Sequence, residues 1–428
     1  MIGQYLELRH ASEVNRSNFA DLEENKSWNA ASDSEVKLHR IHAYPAKFPA
    51  FIPTKALAFA KSEGVRVRRV ADVFCGCGTV AFEARRSAID FWGCDINPVA
   101  TLIARTKSAS FEVVRLKRYY AAILAAVLDA SDAADLSEIA IQRLKYWYSD
   151  RQFRNLARLF NAIQATVPPR SRYRLFFFCA FSNILKATSR WLTKSIKPQI
   201  DPHKKPTRVL DAFGKQFEMM VSAFEQSELS ATSATEILTA NFLKVDAAPN
   251  DIDMIITSPP YVTSYEYADL HQLSSLWLGY ASDYRDLRKG SIGSTQHDLD
   301  FNREIKRLNT TGAQVVFGLF DRDKSIARST ANYFLDMQSV SRRCFELLRQ
   351  RGMALFVIGD TEYKGVRIEN AAHLAESLLS GGFSMVRIAK RRMSGKILTP
   401  YRDSIGQFSC SNDGRHVYAE EFILIATK

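Results

Sequence analysis

The chain has 428 residues and a mass of 48.4 kDa, with 46% hydrophobic and 24% charged residues, an ordinary globular balance that argues against wholesale disorder. The longest apolar stretch, near Leu175 to Phe181, falls far short of the roughly 20 residues that span a bilayer, and the amino terminus has no apolar segment suited to secretion. A cytoplasmic protein with no membrane partner is expected, its six cysteines reduced thiols.

In chain order, residues 1–34 are polar and lack a clear period, so they read as a poorly specified arm. Residues 35–112 contain the opening of an α/β core. Arg68 to Phe74 forms a short apolar strand ending in Cys75-Gly76-Cys77-Gly78, Thr79 to Ser87 fits a helix, and Ile89 to Asp95 is a second strand closed by an acid. Strand, glycine loop, helix, strand begins a doubly wound, Rossmann-like parallel sheet. The pattern then stops, and residues 113–230 read mainly as helices with a turn-rich break at Lys197 to Pro206. This is a large helical insertion. Sheet signals return within 231–428, at Ala234 to Thr239, Asp253 to Thr257, Met353 to Ile358, Phe383 to Ile388 and Val417 to Ala426, the last two as an antiparallel hairpin closing the sheet. The polar stretch 281–329 reads as a mobile flap.

The net charge of +12 belongs to one region: Ala140 to Lys215 holds 16 Lys/Arg against 3 Asp/Glu, so the rest of the chain sums to −1. Aromatic residues, among them Tyr146, Trp147, Tyr148 and Trp191, are interleaved with the cations. A solvated basic bundle is one reading, but segregation of the whole net charge favours nucleic acid, with Arg170, Arg172 and Arg174 as candidate phosphate contacts.

Two loops carry the chemistry. Gly76-Cys77-Gly78-Thr79-Val80-Ala81 matches a glycine-rich cofactor turn, and Asp95 stands where an acid accepts hydrogen bonds from ribose hydroxyls. Alone, this pattern also suits a nicotinamide cofactor or a bare strand-to-helix turn. Asp72-Val73-Phe74 before the glycines and Asp95-Ile96-Asn97-Pro98 after the second strand sharpen it. The second loop is Thr257-Ser258-Pro259-Pro260-Tyr261, directly after the apolar strand Met254-Ile255-Ile256. Its two prolines remove two backbone donors and fix two φ angles, which holds Ser258 rigidly at a strand's carboxyl end, where open α/β sheets bind ligands.

Taken with His42-Ala43-Tyr44-Pro45-Ala46-Lys47-Phe48, these segments resemble the amino methyltransferases that use S-adenosylmethionine to methylate exocyclic nitrogens of DNA bases. The resemblance covers both ends of the catalytic core and leaves the helical insertion outside it. It implies a methyltransferase sheet, S-adenosylmethionine as cofactor and DNA as partner. It assigns Asp72, Phe74, Gly76, Gly78, Thr79, Asp95, Lys47 and Phe48 to the cofactor and the proline loop to catalysis. Lys47 reads equally as a surface cation. Asn241 stands where the family often has an Asp that bonds the cofactor's adenine amine, although a strand-terminating turn explains it equally. Cys77 replaces a residue that is commonly Ser. A Ser at the first loop position is more typical of cytosine-N4 than of adenine-N6 enzymes, which makes cytosine N4 the leading reading. Adenine-N6 or RNA guanine-N2 methylation, or a catalytically silent DNA-binding protein on the same scaffold, are the alternatives.

The chemistry agrees. An aromatic exocyclic amine is a poor nucleophile until acceptors draw on its hydrogens, and Ser258 Oγ with the Pro259 carbonyl supplies such acceptors, Pro260 stiffens them, and Tyr261 offers a ring to stack on a flipped base. Cytosine C5 methylation needs a thiolate, commonly in a Pro-Cys pair, and no such pair occurs. No spacing of Cys and His suggests a metal site.

Overall fold

In the computed structural model the described residues are 5–29, 35–45, 47–195, 197–227, 229–230, 232–246, 248–262, 267–292, 301–393 and 420–428, with the backbone of three two-residue strands between 401 and 416. Eight strands form the main sheet: β1 (Leu6–Leu8), β2 (Arg69–Asp72), β3 (Asp90–Asp95), β4 (Thr235–Thr239), β5 (Ile252–Thr257), β6 (Leu348–Ile358), β7 (Met385–Arg392) and β8 (Glu420–Thr427). Their order across the sheet is β1, β7, β8, β6, β5, β2, β3, β4. Neighbours from β4 through β6 are parallel, whereas β8 lies antiparallel to both β6 and β7. The doubly wound sheet with its antiparallel hairpin is thus the architecture that the strand pattern predicts.

The central strands follow the composition rule for sheets covered on both faces. Every residue of β5, Ile-Asp-Met-Ile-Ile-Thr, is buried, as a near-continuous apolar run must be between two helical layers. One face carries α1 (Phe51–Ser62), α2 (Thr79–Arg86) and α3 (Pro98–Lys107). The insertion adds α4 (Val113–Ala126), α5 (Glu138–Trp147), α6 (Asp150–Thr166), α7 (Arg172–Ile184) and α8 (Val209–Glu225). The chain then supplies α9 (Gln272–Trp277), α10 (Thr310–Phe320), α11 (Lys324–Leu347) and α12 (Asn370–Ser380). Among the described residues the apolar interior of the insertion is continuous with helices of the core. Phe176, Phe177, Phe181 and Phe213 share one apolar cluster with Phe82 of α2, Leu102 and Ile103 of α3, and Trp277 of α9.

Two expectations change. Residues 5–29 are a packed arm, because isolated apolar side chains insert one at a time: β1 pairs with β7 (Leu6 opposite Ile388, Leu8 opposite Val386), and Val14, Phe19 and Trp28 are buried. Single insertions leave no period to read. From Thr310 on, the presumed flap is helix packed into the core. Val315, Val316 and Leu319 of α10 are buried, and the Glu376 carboxylate accepts the Thr310 and Thr311 N–H groups that open the helix, at 2.9 Å each. Residues 293–300 of that stretch lie outside the described residues.

Candidate active site

The chain leaves β2, winds through β3 and β4 to one edge, and returns as β5 on the other side of β2. The crevice beyond the carboxyl ends of β2 and β5 is therefore the topological switch point, where ligands bind in open α/β sheets. Both chemistry-bearing loops open onto it, the glycine loop from β2 and the proline loop from β5.

The glycines are dictated locally. Gly78 sits at φ +76° and caps α2, and a Cβ there would lie 2.6 Å from the Ala104 Cβ and 2.7 Å from its Cα, so α2 and α3 approach this closely only across a glycine. Gly76, at φ +46°, faces the Tyr44 ring. Thr79 begins α2, and its Oγ1 is buried without a hydrogen-bond partner among the described residues. Such a group at a helix N-terminus suits a ligand carboxylate.

Two carboxylates face the same crevice. Asp72 Oδ1 accepts the Thr257 hydroxyl at 2.6 Å and the Phe74 N–H at 3.1 Å. Burial nevertheless pushes its carboxyl up to about 7, against the pull of those two donors. Asp95 accepts the Gly76 N–H at 2.9 Å and the Asn97 N–H at 2.8 Å, and desolvation raises it to about 6. Asp95 thereby ties the end of β3 to the glycine loop, and Thr257 ties the proline loop to the same loop's base. Neither carboxylate has a cationic partner among the described residues.

In the proline loop, Ser258 Oγ donates to the Val357 carbonyl of β6 at 3.0 Å. The hydroxyl hydrogen is thus committed to the sheet, and the oxygen's lone pairs remain for an external donor. Pro259 is buried and Pro260 partly so. The Tyr261 hydroxyl donates to Glu421 Oε1 at 3.0 Å, and Glu421 pairs at 3.4 Å with the buried Arg391 on the neighbouring strand. Burial and the Glu421 charge hold the Tyr261 hydroxyl well above the usual phenol range. Gly359 leaves room for the Tyr261 ring, since a Cβ there would approach it to 3.1 Å.

Some expected residues stand elsewhere. Lys47 Nζ binds Glu35 at 2.6 Å and the His39 carbonyl at 3.3 Å, which occupies it away from the glycine loop. Phe48, by contrast, packs with Phe51 against the cluster that holds Ile52, Val70 and Cys75 of the glycine loop. Asn241 Oδ1 caps the next turn by accepting the Leu243 N–H at 2.8 Å, while its amide donates to the Gly290 carbonyl at 2.8 Å. The strand-terminating role is thus the one its contacts express.

The arginine cluster requires correction. Arg174 is buried, its guanidinium donating to the carbonyls of Gln164 and Val167 at the turn between α6 and α7, so it is not a surface cation. Arg170 and Arg172 are exposed but lie at the start of α7, where Arg172 sits 3.8 Å from Glu112. The other end of α7 reaches the crevice, through Ser182 to His42 at 2.8 Å and Asn183 to the Ala43 N–H at 2.9 Å. At about 1.5 Å per residue, a helix of 13 residues puts roughly 20 Å between the cluster and the catalytic end.

Sequence reasoning missed the aromatic cover. Tyr44 stacks on His271 at 5.1 Å and on Tyr267 at 6.3 Å, directly over Gly76. His271 and His42 are both buried and held neutral, pushed down to about 3 and about 4 by desolvation. The signal lay in the segment around Tyr44, where an aromatic residue beside a proline precedes the glycine loop.

The sheet order, the glycine loop after the central strand and the two loops at the switch point define an α/β fold of the methyltransferase type. The chain's distant sequence relatives are named as methyltransferases. Over 365 residues, 79% of this chain and 80% of that protein, the sequence is 21% identical to the type II methyltransferase M.MvaI of Kocuria varians. It is 22% identical over 371 residues to the type II methyltransferase M.AvaI of Nostoc sp. (strain PCC 7120), covering 75% of this chain and 74% of that protein. The chain's distant homologues are thus methyltransferases. No protein-family model matches. Among solved structures, the rRNA methyltransferase aviRa from Streptomyces viridochromogenes aligns with 94% of this chain and 93% of its own at 10% identity, with a TM-score of 0.26.

Proposed function

We propose that the protein methylates the exocyclic N4 amine of cytosine in DNA, with S-adenosylmethionine as the donor. The observation that carries this reading is the rigid Thr257-Ser258-Pro259-Pro260-Tyr261 loop hydrogen-bonded through Thr257 to Asp72, at the foot of the glycine loop. The residues of the crevice fit the donor: Thr79 has a buried hydroxyl to spare for its carboxylate, Asp95 retains acceptor capacity for ribose hydroxyls, and two buried carboxylates suit a cationic ligand. When bound, S-adenosylmethionine supplies an electrophilic methyl group on its sulfonium.

The chain's own residues do the rest. Ser258 Oγ, its hydrogen occupied by Val357, accepts one hydrogen of the target amine, and the Pro259 carbonyl accepts the other, which draws the nitrogen lone pair out of the ring and aims it for in-line attack. The methylated amine then releases one proton to solvent. Tyr261, held by Glu421 and backed by Gly359, presents its ring to the flipped base. Desolvation of the crevice strengthens each of these contacts.

DNA approaches the end of the insertion that adjoins this crevice. Between residues 185 and 208 there are seven Lys/Arg and a single Asp. Lys186 and Lys204 are turned inward onto the carbonyls of Ser195, Lys186 and Trp191 and hold the loop in shape. Arg190, Lys194, Lys197 and Lys205 are exposed for phosphate contacts. Methylation-sensitive sequencing of DNA from cells expressing the protein tests the proposal. N4-methylcytosine in a fixed context is the expected result, and modification confined to adenine contradicts it.

A further inference from the structure

A second polar cavity lies at the opposite end of the sheet. It has a volume of about 270 Å³ beside the edge strand β4 and is lined by Arg85, Arg105, Ser108, Ser233 and Thr235, with Ile237 and Ala109 as its apolar part. Arg105 reaches across from α3 and donates Nε and Nη2 to the Ile237 carbonyl at 3.0 and 2.7 Å. Arg85, in the last turn of α2, donates Nε to the Ser230 carbonyl at 3.0 Å and Nη2 to Ser110 Oγ at 2.9 Å. Each guanidinium keeps unused donors.

Neither arginine has a carboxylate partner among the described residues. Burial and the like charge of Arg172 both hold Arg85 below the usual guanidinium range. Among the described residues the hydroxyls of Ser108, Ser233 and Thr235 are all buried without hydrogen-bond partners, and Ser108 is only 5% exposed. Several unpartnered polar groups at one place call for an explanation. A cation is excluded by the two arginines, and an apolar ligand by the three hydroxyls. An oxyanion accepts from every one of these groups.

We propose that this cavity binds a phosphate-type oxyanion, held by Arg85 and Arg105 and by the hydroxyls of Ser108, Ser233 and Thr235. Guanidinium forks match phosphate oxygens in geometry as well as charge. The ligand is a free phosphate or a phosphodiester of nucleic acid reaching this end of the molecule. Arg172 stands close enough to act on Arg85 and adds to the attraction.

The test is calorimetric titration of the full chain with inorganic phosphate and, separately, with a short DNA duplex of random sequence. Wild-type protein is expected to bind phosphate saturably, Arg85→Gln to weaken that binding about tenfold or more, and Thr235→Val to weaken it several-fold. The valine variant keeps a β-branched residue on an edge strand, so loss of folding does not confuse the result. A free-phosphate site leaves duplex affinity unchanged in both variants. A phosphodiester site makes phosphate compete with the duplex and lowers the variants' salt dependence. Absence of saturable phosphate binding in the wild type, or equal binding in all three proteins, overturns the proposal.

Discussion

Thr257→Val removes the hydroxyl that links the proline loop to the glycine loop, and its consequence can be worked out from the site. Thr257 is 0% exposed and Asp72 3%, so no water replaces the lost donor. A hydrogen bond to a charged group contributes about 1.5–3 kcal/mol. At about 1.36 kcal/mol per pH unit, the substitution moves the Asp72 midpoint upward by about one to two pH units from its value of about 7. The sign follows from linkage. Because the folded protein holds the Asp72 proton more tightly than the unfolded chain, this group's contribution to stability is full below the unfolded value of 3.8. It is lost as pH rises through the folded value. The wild-type melting temperature should therefore level off, as far as Asp72 governs it, above about pH 7, whereas that of Thr257→Val should go on falling for one to two pH units more. Cofactor affinity at neutral pH should drop and recover at higher pH as Asp72 ionises. Differential scanning calorimetry and titration calorimetry across pH 5–10 measure both. If the two proteins level off at the same pH, the Thr257 hydroxyl does not govern Asp72 and the coupling of the two loops is refuted.

Ser258→Ala should keep cofactor binding but lose about 2–4 kcal/mol of transition-state stabilisation, measured as single-turnover rate on methylatable DNA; an unchanged rate removes Ser258 from the chemistry. Asp95→Ala should weaken S-adenosylmethionine binding about tenfold or more, because a charge-assisted bond to ribose contributes roughly 1.5–3 kcal/mol. In the wild type the same affinity should fall as pH drops through about 6, where Asp95 takes up its proton, and a flat profile would argue against this contact. Gly78→Ala places a methyl 2.6 Å from Ala104 Cβ at a positive φ and should destabilise the fold by at least about 1–3 kcal/mol in urea unfolding. Reversing Lys194, Lys197 and Lys205 to Glu should weaken DNA binding and flatten its salt dependence with cofactor affinity intact; undiminished binding moves the DNA surface elsewhere.

The legible features were those that single residues dictate. Gly76 and Gly78 mark a turn because only glycine tolerates their φ and the Ala104 contact, and the two prolines mark the rigid loop by their chemistry. The buried runs of β5 and β6 revealed the sheet through continuous apolarity. Contacts between distant segments were not legible, since no local period encodes them: β1 pairs with β7 across some 380 residues, and Glu421 meets Tyr261 across 160. Composition identified a basic insertion but carried no direction. The course of α7 decides that Arg172 lies at one end and Lys186 near the other, and Arg174 shows that a cation in a charged run can serve to cap its own turn.

The central claim is the identity of the methylated atom. Purified protein, a deuterated methyl donor and mixed-sequence DNA, followed by nucleoside mass spectrometry, read it directly. Label should appear in N4-methyl-2′-deoxycytidine and build up far more slowly with Ser258→Ala, in step with its lowered single-turnover rate. Label in N6-methyl-2′-deoxyadenosine or in no DNA nucleoside, or label taken up only when RNA replaces DNA, contradicts the account.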